Sequence, residues 1–304
     1  MNKIISTTTS FGKESSSVLD LIEKSNLELI RNPFNKKLTE TEVLQLLLEH
    51  KPVGLLAGTE PITKAVLEKS QGLTVISRVG VGWDNVDRVS AAELGIKVFR
   101  TPGVLNQAVS ELTLGMVLNA LRSITLLNNE IRNGIWNKRM GSLLQGKKIG
   151  LVGFGDIGKA VGKLMHFFET DIVYYDPYPS EVEWARPVQI DELLRISDVI
   201  SIHASGEQMI FGEDEIAATK KGVILINTAR GGLIDEDVIY RFLENGHVAF
   251  ACLDVFENEP YKGRLKELDN VILTPHIGSY ARESRIRMEE VAVQNLITAL
   301  KEEE

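Results

Sequence analysis

The 304-residue chain has one cysteine, Cys252, so no internal disulfide can staple the fold. Its neighbours in VAFACLDV are apolar, which reads as a small core side chain rather than an activated thiol, and a reducing compartment is expected. Long apolar runs are also missing. No stretch approaches the roughly 20 residues that span a bilayer. The opening MNKIISTTTSFGKESSS lacks the apolar run of about 7–15 residues that a secretory signal carries. A soluble, cytoplasmic protein is the expectation. Basic residues are in deficit: 34 Lys and Arg against 42 Asp and Glu give a formal charge of -8. Such a balance argues against binding a phosphate backbone, so nucleic acid is not an expected partner. No His, Cys and carboxylate cluster has metal-ligand spacing, so no metal is expected, and there is no fixed-period repeat or low-complexity tract. His50, His166 and His247 read as structural, and the acidic end from Lys301 to Glu304 reads as a solvated helix terminus.

What the chain does have is alternation. Over the first hundred residues, β-branched runs (KIIST, LELIRN, VGLLAG, LTVISR, IKVFR) alternate with amphipathic stretches, predicting five strands separated by four helices. Thr39 and Glu42 have capping-box spacing, and Gly95 stands where a helix ending AAEL needs a left-handed cap. This pattern predicts an α/β fold with a mainly parallel sheet and helices on both faces. After Thr101 and Pro102, the stretch NQAVSELTLGMVLNALRSITLLNNEIRNG reads as one long helix or two closely joined ones. A second strand-and-helix series begins at KKIGLVGFG and runs through DIVYYD, SDVISIHA, GVILINT, HVAFACLD and NVILTP to a final helix.

Within that second series lies Gly153-Phe-Gly155-Asp156-Ile157-Gly158. A bare glycine pattern of this kind is weak, but here a strand (Lys148 to Val152) leads in and an amphipathic helix (Lys159 to Phe168) leads out. The first glycine permits the tight turn, the second lets backbone approach a pyrophosphate, and the third lets helix and strand pack closely. A following strand ends at Asp176, 18 positions beyond Gly158, where a carboxylate accepts hydrogen bonds from ribose hydroxyls and repels a 2′-phosphate. NAD is therefore the expected cofactor, with Asp156 placing one negative charge beside the anion site.

Three polar residues follow three successive apolar strands: Arg230 after GVILINTA, Glu259 after FACLDVFEN and His276 after NVILTP. Ligands of open parallel sheets sit beyond the carboxyl ends of the strands, so the three can converge. Arginine suits a carboxylate bidentately, histidine exchanges a proton near neutral pH, and a glutamate orients the ring. Taken singly, each also admits a plain reading as a loop or turn residue.

The runs INTARGG (226–232), LDVFENEP (253–260) and LTPHIG (273–278), with ISRVGVGWDNVD (76–87) and GFGDIGK (153–159), occur in the order found in the D-isomer-specific 2-hydroxyacid dehydrogenases, which the chain resembles over nearly its whole length. The resemblance implies an NAD-binding Rossmann domain at 102–279, inserted into a flavodoxin-like substrate-binding lid at 1–101 and 280–304. It implies Arg230 as carboxylate anchor, His276 as acid/base and Glu259 as its partner. It further implies backbone N–H contacts to substrate from the Val79-Gly80-Val81 turn, and cofactor contacts from Val81, Thr228, Ala229, Asp254 (to the carboxamide) and Gly278. Arg230 and His276 border the cofactor as well. Two departures stand out. His203-Ala204-Ser205-Gly206 replaces the usual H-x-P segment and precedes a shortened loop, and Leu105 precedes Asn106 where many relatives have asparagine one position earlier.

The lid sequence is most similar to members described as phosphoglycerate dehydrogenases without a C-terminal regulatory domain. The implied substrate is then 3-phosphoglycerate, oxidised in the opening step of serine biosynthesis, with Arg78, Arg100 and Lys13 as candidate phosphate cations. Glyoxylate, hydroxypyruvate or another 2-hydroxy acid is the alternative, and an NAD-sensing corepressor-like protein is the alternative of another class. The resemblance also implies a homodimer, with Val109 to Leu127 as the expected contact.

Overall fold

The structure is a computed structural model, and it describes residues 1–206 and 208–302; Glu303 and Glu304 of the acidic end lie outside the described residues. In chain order the elements are β1 (Asn2–Ser6), α1 (Ser17–Lys24), β2 (Leu27–Arg31), α2 (Glu40–His50), β3 (Gly54–Ala57), α3 (Lys64–Lys69), β4 (Val75–Arg78), α4 (Arg88–Glu93), β5 (Lys97–Phe99), α5 (Asn106–Arg122) and α6 (Ile124–Arg132). They continue with β6 (Lys148–Val152), α7 (Asp156–His166), β7 (Asp171–Tyr175), β8 (Ala185–Pro187), α8 (Ile190–Ile196), β9 (Val199–Ile202), α9 (Glu213–Ala217), β10 (Val223–Asn227), α10 (Glu236–Glu244), β11 (Val248–Leu253), a 3-10 turn (Arg264–Glu267), β12 (Val271–Leu273) and α11 (Arg282–Lys301). Two compact units result, one of residues 1–105 with 280–304 and one of residues 106–279.

The first unit carries a five-stranded parallel sheet in the order β2-β1-β3-β4-β5. This is the flavodoxin-like order, and the five strands and four helices expected over the first hundred residues are all present. Alternate strand residues separate the two faces. Ile5, Leu55, Ala57 and Ile76 pack with Val43, Leu46, Leu47, Val66, Leu67 and Ala91 of α2, α3 and α4. The opposite face is covered by α11, whose Leu296 lies so close to β3 that a Cβ on Gly54 would come within 2.9 Å of it. Helix boundaries follow the local chemistry. Thr39 accepts from the Glu42 N–H at 3.3 Å while the Glu42 carboxylate accepts from the Thr39 N–H at 2.9 Å, closing the capping box before α2. Gly95 takes φ +73° just past α4, with the Ile96 N–H reaching back to the Ala91 carbonyl at 2.8 Å.

In the second unit a seven-stranded parallel sheet runs β12-β11-β10-β9-β6-β7-β8. Strand order reverses between β6 and β9, the switch point of a Rossmann sheet. Both faces are buried, which explains the nearly continuous apolar strands. In β10, Val223 and Leu225 face the core formed with α8 and α10, while Ile224 and Ile226 face the core formed with α5 and α7. Cys252 belongs to the latter core, and burial pushes its thiol up, away from reactivity.

Two expectations need correcting. The helix leading out of the glycine-rich turn begins at Asp156, not Lys159, and ends at His166, because the turn itself supplies its first residues despite the low helix propensity of glycine. Strand β8 was not expected; it has three residues, sits at the sheet edge, and ends in a proline that only an edge tolerates. The 109–127 stretch takes one of the two expected forms, two closely joined helices that meet at Ser123 (φ +49°); Val109, Thr113, Met116, Val117, Ala120 and Leu121 are buried, while Leu112, Leu114 and Leu118 are half-buried. The exposed apolar residues lie further on, at Ile124, Ile131, Ile135, Trp136, Met140 and Leu143.

Replacing Thr39 by alanine removes the α2 cap and is expected to destabilise the first unit by about 1 kcal/mol, with serine restoring most of it. Urea unfolding followed by helical circular dichroism checks this; an unchanged midpoint for the alanine variant contradicts it.

Candidate active site

The glycine-rich turn is shaped by crowding at two of its glycines and by openness at the third. Gly153 has φ +95°, and a Cβ there would fall 2.6 Å from the Ala204 nitrogen and the His203 carbonyl carbon. A Cβ on Gly158 would sit 2.2 Å from the Gly153 carbonyl oxygen, so only glycine lets α7 start this close to the end of β6. A Cβ on Gly155 would meet nothing within 4 Å. Its lack of a side chain is therefore not required by the protein's own packing, and it leaves backbone accessible at the N-terminus of α7. Gly155 is the N-cap and provides no side-chain acceptor to the first amides of the helix. Uncapped amides beside open space at a helix N-terminus suit an anion such as a pyrophosphate, and these residues fit a dinucleotide. Exposed Asp156 is the first helical residue.

Asp176 follows β7 and is tied to the same turn. Its Oδ2 accepts from the Phe154 N–H at 2.7 Å and its Oδ1 from the Tyr178 N–H at 2.8 Å, which fixes the carboxylate beside the glycines. His203 follows β9, with its N–H donating to the Val152 carbonyl at 2.7 Å and its Nε2 lying 2.9 Å from Ser201 Oγ. Burial pushes its imidazole down to about 3, so the ring is neutral at physiological pH. Ala204 is half-buried beside it, and Glu207 lies outside the described residues.

The three polar residues follow β10, β11 and β12, which are adjacent in the sheet. After β10, the Asn227 side chain makes an Asx turn, accepting from the Ala229 N–H at 3.0 Å and donating to the Arg230 carbonyl at 2.8 Å. Gly231 lets this loop lie against the next one, since a Cβ there would come 1.9 Å from the Phe256 carbonyl oxygen. Thr228 is buried, its hydroxyl 3.2 Å from that of Thr113. The Arg230 Nη1 donates to the Ala229 carbonyl at 2.8 Å.

His276 has φ +55°, a left-handed conformation that is unfavourable for a residue with a Cβ and persists only where surroundings impose it. The surroundings are Asp254, buried at the end of β11. Its Oδ1 accepts from the Thr274 hydroxyl at 2.5 Å and from the Ile277 N–H at 2.8 Å, and its Oδ2 from the Gly278 N–H at 2.7 Å. The His276 ring then meets Glu259, with Nδ1 at 2.9 Å from Oε2 and 3.1 Å from Oε1. A carboxylate at Nδ1 holds the proton on that nitrogen, leaving Nε2 as the ring's free acceptor. Both side chains are substantially exposed, so the pair contributes no more than about 1 kcal/mol to stability, and its consequence is orientation.

In the first unit the turn after β4 corrects a further expectation. The Val79 N–H donates to the Ala57 carbonyl at 2.8 Å and the Gly80 N–H to the Arg78 carbonyl at 2.9 Å, so two of the three amides expected to meet substrate are committed within the chain. Among the described residues the Val81 N–H has no such acceptor. The Arg78 guanidinium folds back over the turn, where a Cβ on Gly80 would collide with it, and donates to the Val79 carbonyl. Leu105 is buried and Asn106 is the first residue of α5. Two structural contributors escaped the reading of the sequence: Asn227, legible from the preference of Asn for turns after strands, and Thr274, whose hydroxyl reaches Asp254 through a long-range contact that leaves no local signal.

The description "D-isomer specific 2-hydroxyacid dehydrogenase, NAD binding domain" matches residues 114–278. The chain is 36% identical over 285 residues to a hydroxypyruvate reductase of Thermotoga maritima, covering 89% of this chain and 93% of that one. The chain belongs to the D-isomer-specific 2-hydroxyacid dehydrogenases. It is also 40% identical to a D-3-phosphoglycerate dehydrogenase of Methanocaldococcus jannaschii over 259 residues, 82% of this chain, and spans about half (49%) of that relative's length. A crystal structure of a Thermus thermophilus protein superposes with a TM-score of 0.91 at 36% identity, covering 99% of this chain and 97% of the other. The chain is accordingly an NAD-linked oxidoreductase acting on the CH–OH group of 2-hydroxy acids.

Gly158→Ala is expected to abolish NADH binding in a fluorescence titration, since the new methyl strikes backbone; undiminished affinity would contradict the fit. Asp176→Ala should narrow the preference for NAD over NADP at least tenfold in kcat/KM, and a preserved ratio would remove the carboxylate from cofactor selection.

Proposed function

We propose that Arg230 binds the substrate carboxylate and that His276 is the acid/base of the reaction, oriented by Glu259. The observation that carries this reading is the His276 Nδ1 contact with the Glu259 carboxylate at 2.9 Å, on the loop next in the sheet to the one bearing Arg230. In the oxidative direction, His276 Nε2 takes the proton of the carbon-2 hydroxyl as the C–O double bond forms. Bound NAD supplies the hydride acceptor. Glu259 favours the imidazolium that results, and in reduction the same nitrogen returns the proton to the carbonyl oxygen. The glycine-rich turn, Asp176, His203, Ala204, Thr228 and Ala229 hold the dinucleotide. Asp254 and Gly278 act by fixing the loop that borders it, beside the carboxamide contact implied for Asp254. On the first unit the Val81 amide, with Arg78, is the proposed substrate contact.

For the substrate we infer 3-phosphoglycerate, supported by the arginines around the β4 turn and by 40% identity to a phosphoglycerate dehydrogenase. A second reading, reduction of hydroxypyruvate or glyoxylate, is favoured by the hydroxypyruvate reductase aligned along 93% of its length. Turnover of a panel of 2-hydroxy acids with NAD separates the two; 3-phosphoglycerate ranking no higher than D-glycerate contradicts the first. We also propose a cytoplasmic homodimer whose contact is the exposed apolar stretch from Ile124 to Leu143 rather than α5, and light scattering that returns a monomer overturns it. Among the described residues no helix is long and apolar enough to cross a membrane.

His276→Ala is expected to lower kcat roughly 10²–10⁴-fold while leaving NADH affinity near that of the wild type, whereas Arg230→Ala chiefly raises KM. Full activity in the His276 variant rules out its acid/base role.

A further inference from the structure

Trp83 stands in the turn after β4, half-buried, and two guanidinium groups lie over its indole: Arg88 at 4.4 Å and Arg100 at 4.5 Å from the ring centroid. Neither arginine pairs with a carboxylate among the described residues. Gathering two cations on one ring is unusual in a chain whose formal charge is -8, where acidic partners are abundant. The face of the indole attracts each cation, but the cations repel each other, and an incoming anion relieves that repulsion.

Arg100 is the better placed of the two. It follows β5 directly, and the backbone around it is pinned to the same turn: the Thr101 N–H donates to the Gly80 carbonyl at 3.0 Å and the Asn295 side chain donates to the Arg100 carbonyl at 3.1 Å. Its Nη1 donates to the Val81 carbonyl at 3.4 Å. The guanidinium is thus held between the indole and the turn on an exposed residue, with a single acceptor for its five N–H donors among the described residues. Arg88, by contrast, is the first residue of α4 and, among the described residues, is held by the ring alone.

We propose that Arg100, held in place by Trp83, is the cation that selects 2-hydroxy acids carrying a second anionic group on carbon 3, with Trp83 as its positioning residue. The shared chemistry is a second negative charge, which phosphate or carboxylate supplies. Stacking limits the rotamers a long side chain otherwise samples, so less freedom is lost when an anion is bound. The inference rests on the reading of the β4 turn as a substrate contact.

The test compares D-glycerate, 3-phospho-D-glycerate and (R)-malate as substrates of the full chain with NAD, in the wild type and in Arg100→Met, Trp83→Leu and Trp83→Phe. Arg100→Met is expected to lower kcat/KM for the preferred doubly charged acid about 10–100-fold, mainly through KM, and to change that for D-glycerate less than threefold. Trp83→Leu should give a smaller loss of the same kind, Trp83→Phe should restore it, and the discrimination should shrink as salt is raised. A wild type that prefers malate over phosphoglycerate supports the inference while removing phosphoglycerate as the substrate. A wild type that prefers phosphoglycerate, with Arg100→Met keeping that preference, overturns the inference and leaves the substrate reading standing. Equal losses on all three acids, Trp83→Leu without effect on discrimination, or a wild type that favours neither doubly charged acid also overturns it.

Discussion

A buried carboxylate holds a strained histidine in place, and the geometry of the polar loops at the end of the second sheet depends on it. Asp254 gathers the Thr274 hydroxyl and the amides of Ile277 and Gly278, the residues on either side of His276, and so imposes a backbone conformation that histidine alone disfavours. With the backbone fixed, one carboxylate contact suffices to set the ring. Glu259 closes on Nδ1 from the neighbouring loop, and Nε2 has no hydrogen-bond partner among the described residues. The two carboxylates have separate roles. Asp254 is buried and holds the loop, while Glu259 is accessible and meets the ring.

The parallel sheet makes this arrangement possible at low conformational cost. Strands β10, β11 and β12 end side by side, so residues 230, 259 and 276 arrive on neighbouring loops without any long connection having to fold back. Close approach of those loops is permitted by the absence of a Cβ at Gly231, just as Gly153 and Gly158 permit the crowding of β6, α7 and the end of β9. Where packing forbids a side chain, glycine is a structural necessity; at Gly155, where packing allows one, its bareness leaves the start of α7 open.

Much of this is legible in the sequence because both sheets are buried on two faces and their strands read as uninterrupted apolar runs bounded by turns. The alternation in the first hundred residues, the capping box at Thr39 and the left-handed cap at Gly95 follow from local chemistry and appear as expected. Expectation failed where tertiary context decides. Nothing in Val79 and Gly80 signals that their amides donate to Ala57 and Arg78. Strand β8 is too short for periodicity to register, and the pairing of Arg88 and Arg100 across Trp83 joins residues whose proximity no local pattern announces.

Whether Glu259 sets the imidazole of His276 is decided by the tautomer of that ring. In enzyme labelled with 15N-histidine, with the resonance assigned by comparison with the Glu259→Gln variant, neutral His276 is expected to carry its proton on Nδ1 and present a bare Nε2. A neutral ring protonated on Nε2, unaffected by the loss of the Glu259 charge, would contradict it.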